Sequence, residues 1–274
     1  MTSATPAILG LDVENLRQKI LDFIKIGYAE SEVIRMTKKF PSIYNCKIET
    51  LMKKIEDVMV LGFTKNEVLK ILKLRPELLG FGTETLSRKI DNLVKLGYSK
   101  KQVISIIKKS PCLFGRDITE LQEKIKKIML LGYTKEEVLK MGLMHPALYS
   151  YSVERIVNRI KTIILLGYSK EETLKITKEF PAIFGASEEN IVDKIQYYNS
   201  IGLRDVVIVT PKNLMQSTEL SYARHEFYKT RDINVDMENF RILFKDKNKF
   251  EAEYSIETSG LLELYPYNSR VKIK

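Results

Sequence analysis

Two sets of basic side chains recur at a constant step in this 274-residue chain. Lys19, Lys54, Lys89, Lys124, Arg159 and Lys194 stand 35 residues apart. Lys38, Lys73, Lys108 and Lys178 form a second series, interrupted by Leu143. Cations repeated in register can track a phosphate backbone, and such contacts contribute affinity without reading base sequence. The first series also has a plainer reading. Each member directly precedes a core isoleucine, so its methylenes can cover the core while its charged head stays in water. The second series lies beside a helix end and a proline, where the wall of a groove is expected. Other chemistry is not indicated: GxxxxGK[ST], HExxH, GxSxG and recurring carboxylate pairs are all missing from the sequence. Cys46 and Cys112 fall at non-equivalent places without a CxxC, and the histidines are His145 and His225 alone. Reduced thiols are therefore expected, with no zinc, no cofactor and no small-molecule substrate.

The elements that must position these cations follow from a repeat. A Gly-aromatic pair recurs as Gly27-Tyr28, Gly62-Phe63, Gly97-Tyr98, Gly132-Tyr133 and Gly167-Tyr168, then degrades to Gly202-Leu203. A proline keeps the same 35-residue step at Pro6, Pro41, Pro76, Pro111, Pro146 and Pro181. A fixed period of this length means an array of stacked helical units. Before each glycine the apolar spacing predicts a helix; in the second copy its stripe reads Leu51, Ile55, Val58, Met59 and Leu61. Glycine stops that helix because it takes the left-handed conformation without a Cβ penalty. Thr64, Ser99, Thr134 and Ser169, each with Glu or Gln three residues on, are capping boxes that open a second helix. The first copy has Ala29 at the cap, so its second helix should start less firmly. Lysines in the last turn suit the helix dipole, and the proline ends the helix. A short apolar hook such as Leu113-Phe114 follows, fit for a single 3-10 or α turn.

The repeated aromatics could stack on bases, but their fixed place in a helix turn favours packing against the next unit. His145 precedes Pro146 where other copies have Phe40, Arg75, Ser110 or Phe180, and is read as a helix-end residue.

The chain carries a formal charge of +10, and residues 203–274 hold 12 Lys+Arg against 11 Asp+Glu, so the repeats are the basic part. Such a surface points to polyanions, nucleic acid first. No apolar run approaches the ~18 residues of a membrane span. The first residues show neither a hydrophobic signal core nor an Arg-rich presequence, so the expected location is intracellular and reducing. Residues 1–10 read as a partial N-terminal repeat, residues 11–202 as five to six repeats, and residues 203–274 as degenerate repeats with a C-terminal cap, all in one continuous domain. In the sixth copy the proline follows its glycine by nine residues instead of fourteen, which implies a shortened second helix over VVIV. Atypical end units are expected of such arrays.

The unit L-x-x-K-I … L-G-Y-S/T-x-E-E-V-L … P-x-L-F resembles the repeat of the mitochondrial transcription termination factor (mTERF) family over about residues 6–216. That resemblance implies an all-α, curved α-solenoid, right- or left-handed, of about six 35-residue helix-turn-helix-proline-hook repeats. It implies a non-enzymatic, monomeric protein that binds nucleic acid, duplex DNA ahead of RNA, in transcription regulation or termination. RNA binding with ribosome assembly is the alternative within the family, and a scaffold for an acidic protein partner is the alternative outside it. A mitochondrial or plastid location is implied for a processed member and a bacterial cytoplasm otherwise.

Overall fold

The structure, a computed structural model, describes residues 13–268; the partial repeat expected at 1–10 lies outside them. Helices and 3-10 turns make up its regular structure, and no strand occurs among the described residues. The protein is an all-α helical-repeat array. It divides into two compact units, Met1–Glu123 and Lys124–Lys274.

In the first unit, the first helices of successive repeats are α1 (Val13–Ile26), α3 (Ile48–Val60) and α5 (Thr83–Lys95), and the second helices are α2 (Glu30–Lys39), α4 (Lys65–Leu74) and α6 (Lys100–Lys109). α7 (Ile118–Met129) follows. Helix α1 packs on α2 and α3, α2 on α4, and α3 on α4 and α5, so like helices stack on like. The second unit repeats the pattern with α8 (Lys135–Met144), α9 (Val153–Leu165), α10 (Lys170–Glu179) and α11 (Glu188–Ser200). Each second helix ends at a proline that opens a 3-10 turn: Pro41–Asn45, Pro76–Gly80, Pro111–Gly115, Pro146–Ser150, Pro181–Phe184 and Pro211–Met215.

The core repeats with the sequence. From α3 to α11 first helices bury three positions at i, i+4 and i+7, as Leu51, Ile55 and Val58 or Leu86, Ile90 and Leu93, while α1 leaves Leu16 and Ile20 half-buried. Second helices bury Val68 with Ile71, Val103 with Ile106, and Val138 with Met141. Truncating one such isoleucine to alanine costs about 2–5 kcal/mol. Met59, expected in the stripe, stands 38% exposed, since it sits a 100° turn of the helix away from the buried Val58.

The turns obey the glycine rule at every copy. Gly62 has φ +111° and Gly97 φ +123°, a region that side-chain-bearing residues avoid. At Gly62 an added Cβ would also lie 2.7 Å from Ile104 Cδ1 of the next second helix. The capping boxes are formed: Glu67 N donates to Thr64 Oγ1 at 3.4 Å, and Thr64 N to Glu67 Oε2 at 2.9 Å. Ala29 has no side-chain acceptor, yet Ala29 N still donates to Glu32 Oε2 at 3.0 Å. Helix α2 accordingly starts in the same register as α4. Half the box is enough to set where the helix starts.

The C-terminal region keeps the plan in shortened form. VVIV forms the four-residue α12 (Val206–Val209), the truncated second helix that the proline spacing predicts. Helix α13 (Thr218–Lys229) is another first helix, followed by a 3-10 turn at Phe240–Phe244, α14 (Lys247–Tyr254) and α15 (Thr258–Leu264). No helix of the described residues is long and apolar enough to cross a membrane.

Candidate nucleic-acid interface

The first basic series turns inward at the end of each hook. Lys19 Nζ donates to Cys46 O at 2.9 Å, Lys124 Nζ to Tyr149 O at 2.8 Å, Arg159 Nη2 to Ala186 O at 2.6 Å and Lys194 Nζ to Leu214 O at 2.7 Å. Those carbonyls lie in or just after a 3-10 turn, where a cation meets the negative end of the turn's dipole. Lys54 is half-buried in the equivalent place, and Lys89 Nζ stands 5.6 Å from the Phe81 ring centroid. Burial pulls the pKa of Lys54, Arg159 and Lys194 down. The series has a further member that a 35-residue step does not reach. Arg224, 2% exposed, donates through Nη1 to Leu243 O at 3.0 Å and Lys245 O at 2.6 Å. It caps the Phe240–Phe244 turn as its counterparts cap the earlier hooks.

The second series forms ion pairs with the preceding repeat. Lys73 Nζ lies 2.6 Å from Glu32 Oε1, Lys108 Nζ 2.8 Å from Glu67 Oε1, and Lys178 Nζ 2.6 Å from Glu137 Oε1. In each case the carboxylate belongs to a capping box one repeat earlier. One glutamate thus caps its own helix through one oxygen and ties down the next helix through the other. These charge-assisted bonds lower the pKa of Glu32, Glu67 and Glu137, with the lysine the leading cause. Glu172 has no lysine in the shortened sixth copy. Arg204 takes the place, with Nη2 2.6 Å from Glu172 Oε2, and holds that carboxyl down to about 2. Lys38 is exposed and has no ion-pair partner among the described residues. The side chains of Lys73, Lys108 and Lys178 remain more than a third exposed.

A third basic series, not singled out from the sequence, lies fully outside. Arg35, Lys70, Lys140 and Lys175 are exposed in the middle of their second helices, with Ser105 interrupting the period. Lys65, Lys100, Lys135 and Lys170 are exposed as the first residues of α4, α6, α8 and α10. A cation there opposes the helix dipole at a cost of about 0.3–1 kcal/mol, so helix stability does not account for its recurrence. The series keeps the 35-residue period in the sequence.

The acid content of these helices varies sharply, and α2, ESEVIRMTKK, carries two glutamates against three cations. Helix α6, KKQVISIIKK, holds four lysines and no acid, and α4, KNEVLKILKL, three lysines and one glutamate. Helices α8 and α10 balance their lysines with as many glutamates. The repeated aromatics are not available for stacking on bases: Tyr28, Phe63, Tyr98, Tyr133 and Tyr168 are each 4% exposed or less. Tyr28 Oη donates to Leu69 O at 3.1 Å, and Tyr133 Oη lies 2.6 Å from Thr177 Oγ1. Desolvation raises the Tyr133 phenol to about 12. His145 ends α8, as expected, and its Nε2 meets Tyr151 Oη at 2.9 Å. No cluster of three or more possible metal ligands occurs among the described residues.

The mTERF family model matches residues 1–96 and 85–251 of the chain. No curated protein matches it.

Proposed function

Because the chain belongs to the mTERF family, a family of non-enzymatic helical-repeat proteins that bind nucleic acid, we propose that it binds duplex DNA through the second helices of its first unit. The observation that carries this reading is the run of exposed cations on α4 and α6, on helices with almost no acid to neutralise them. Arg35, Lys65, Lys70, Lys100 and Lys101 supply the phosphate contacts. Lys38, Lys73 and Lys108 flank them; the two that are paired keep ammonium protons to offer a phosphate, since each has three donors. Contacts of this kind bind a backbone without selecting a sequence, which fits an accessory role in transcription more simply than recognition of one site.

The test is fluorescence anisotropy with a labelled 20-base-pair duplex, its single strand and the matching RNA at 50 mM salt. The duplex is expected to bind tightest. Changing Lys65, Lys70 and Lys100 together to alanine should weaken binding at least tenfold, while Lys135, Lys140 and Lys170 changed together should weaken it less than threefold. Equal losses from the two triple variants would remove the first unit as the interface. RNA binding more tightly than the duplex would transfer the reading to RNA.

A further inference from the structure

A cavity of about 650 Å³ lies between α11 and α13. Its volume lies in the range of small-molecule sites. Three tyrosines line it: Tyr197 on α11, Tyr222 on α13, and Tyr267, which returns from beyond α15. Their ring centroids are 5.2–6.1 Å apart and no two rings are parallel: the interplanar angles are 69° for Tyr197 and Tyr222, 75° for Tyr197 and Tyr267, and 50° for Tyr222 and Tyr267. Two carboxylates share the lining, Asp193 and Glu226. Tyr267 Oη donates to Asp193 Oδ1 at 2.8 Å, which anchors the third ring to α11.

The chemistry of this lining selects its ligand. Phenol faces carry negative quadrupole potential and attract cations, most strongly where water is excluded. The carboxylates add attraction of the same sign and would repel a phosphate or any other anion. His225, also in the wall, is held towards its neutral form by burial, so it does not offset them. Among the described residues the one cation in the lining is Lys229, whose Nζ lies 3.8 Å from Glu226 Oε2 on a side chain 71% exposed. It reaches Glu226 from within its own helix, and Tyr222 and Tyr267 are partly exposed at the cavity while Tyr197 is buried behind them.

We propose that this cavity binds an organic cation, an alkylammonium or guanidinium group, against the tyrosine faces with Glu226 as its counter-ion. The site is independent of the DNA-binding reading, since it lies on other helices and prefers charge of the opposite sign. Its test is NMR of the tyrosine ring signals in the full chain at constant ionic strength. The probes are choline, N-methylguanidinium, the uncharged choline isostere 3,3-dimethylbutan-1-ol, and adenosine monophosphate. Choline or N-methylguanidinium should shift the Tyr222 and Tyr267 signals saturably, and the better of the two identifies an ammonium or a guanidinium source. The uncharged isostere should bind at least tenfold more weakly. Glu226→Gln should weaken the cation at least fivefold, and Lys229→Gln, which removes the internal competitor, should tighten it about twofold. Tyr222→Ala should abolish the shift of Tyr267; should that variant fail to fold, the partly exposed Glu226→Gln carries the test. Equal binding of the isostere, indifference to Glu226→Gln, or preference for adenosine monophosphate would each overturn the proposal.

Discussion

A single carboxylate does two jobs in four of the repeats, and its titration follows from that. Glu67 accepts from Thr64 N and from Lys108 Nζ, both bonds favouring the ionised form. Its pKa, like those of Glu32, Glu137 and Glu172, is lowered on folding. The stability these groups add is present above their unfolded values of about 4.3. It is lost as pH falls through the folded values, which for Glu172 means down to about 2. Thermal melts between pH 7 and pH 2 should therefore show a steep fall of Tm below about pH 4.3. The variant Glu172→Gln should melt lower than the parent at pH 7 and converge with it near pH 2. An unchanged difference across that window would mean that the Glu172–Arg204 contact adds nothing. The pairing itself was hidden in the sequence. Both partners are visible, but 41 residues separate Glu67 from Lys108, and only adjacency of neighbouring second helices brings them together.

At the scale of the helix, capping and charge at the first turn can be separated by substitution. Thr64 caps α4 through its hydroxyl, whereas Ala29 leaves the same role to Glu32 alone. Ala29→Ser should therefore raise stability by about 0.5–1 kcal/mol, measured by urea denaturation. Lys65, the first residue of α4, offers the opposite contrast. Lys65→Glu should leave stability unchanged or raise it by a few tenths of a kcal/mol through the helix dipole, while DNA binding weakens at least threefold in anisotropy. A variant that gains stability as it loses binding would show that the lysine serves a ligand and not the helix. Helix ends of this kind were readable because glycine, cap and proline each act through local backbone geometry. Arg224 was not, because the sixth copy is shorter by five residues: the proline follows Gly202 by nine residues instead of fourteen. A strict step from Lys194 lands on Lys229, which is exposed, instead of on the buried Arg224.

For the whole molecule, the period predicted the all-α repeat architecture well, since the first helices from α3 to α11 bury the same positions. The basic surface is harder to read from it. Most members of the two lysine series have internal partners, Lys38 being an exception, and a cation's position in a repeat does not tell whether a carbonyl or carboxylate waits across the next helix. The exposed series gives a sharper expectation. If five side chains of the first unit each neutralise one phosphate, the logarithm of the association constant should fall with the logarithm of salt at a slope of about −4 to −5. Anisotropy titrations from 50 to 300 mM salt measure it directly. A slope near −1 would leave most of these cations out of contact and return the interface to the paired lysines.

The tie between Glu32 and Lys73 reaches one full copy plus six residues along the chain. Remove residues 46–80 and Glu32 stands at that same reach from Lys108, whose former partner Glu67 has gone with the excised block. The Gly27 turn would likewise meet Ile104 where it now meets Leu69. In that excision these clasps re-form with a substitute of the same kind, so the chain can lose this block by unequal recombination, while a cut of any other length leaves a mismatched seam.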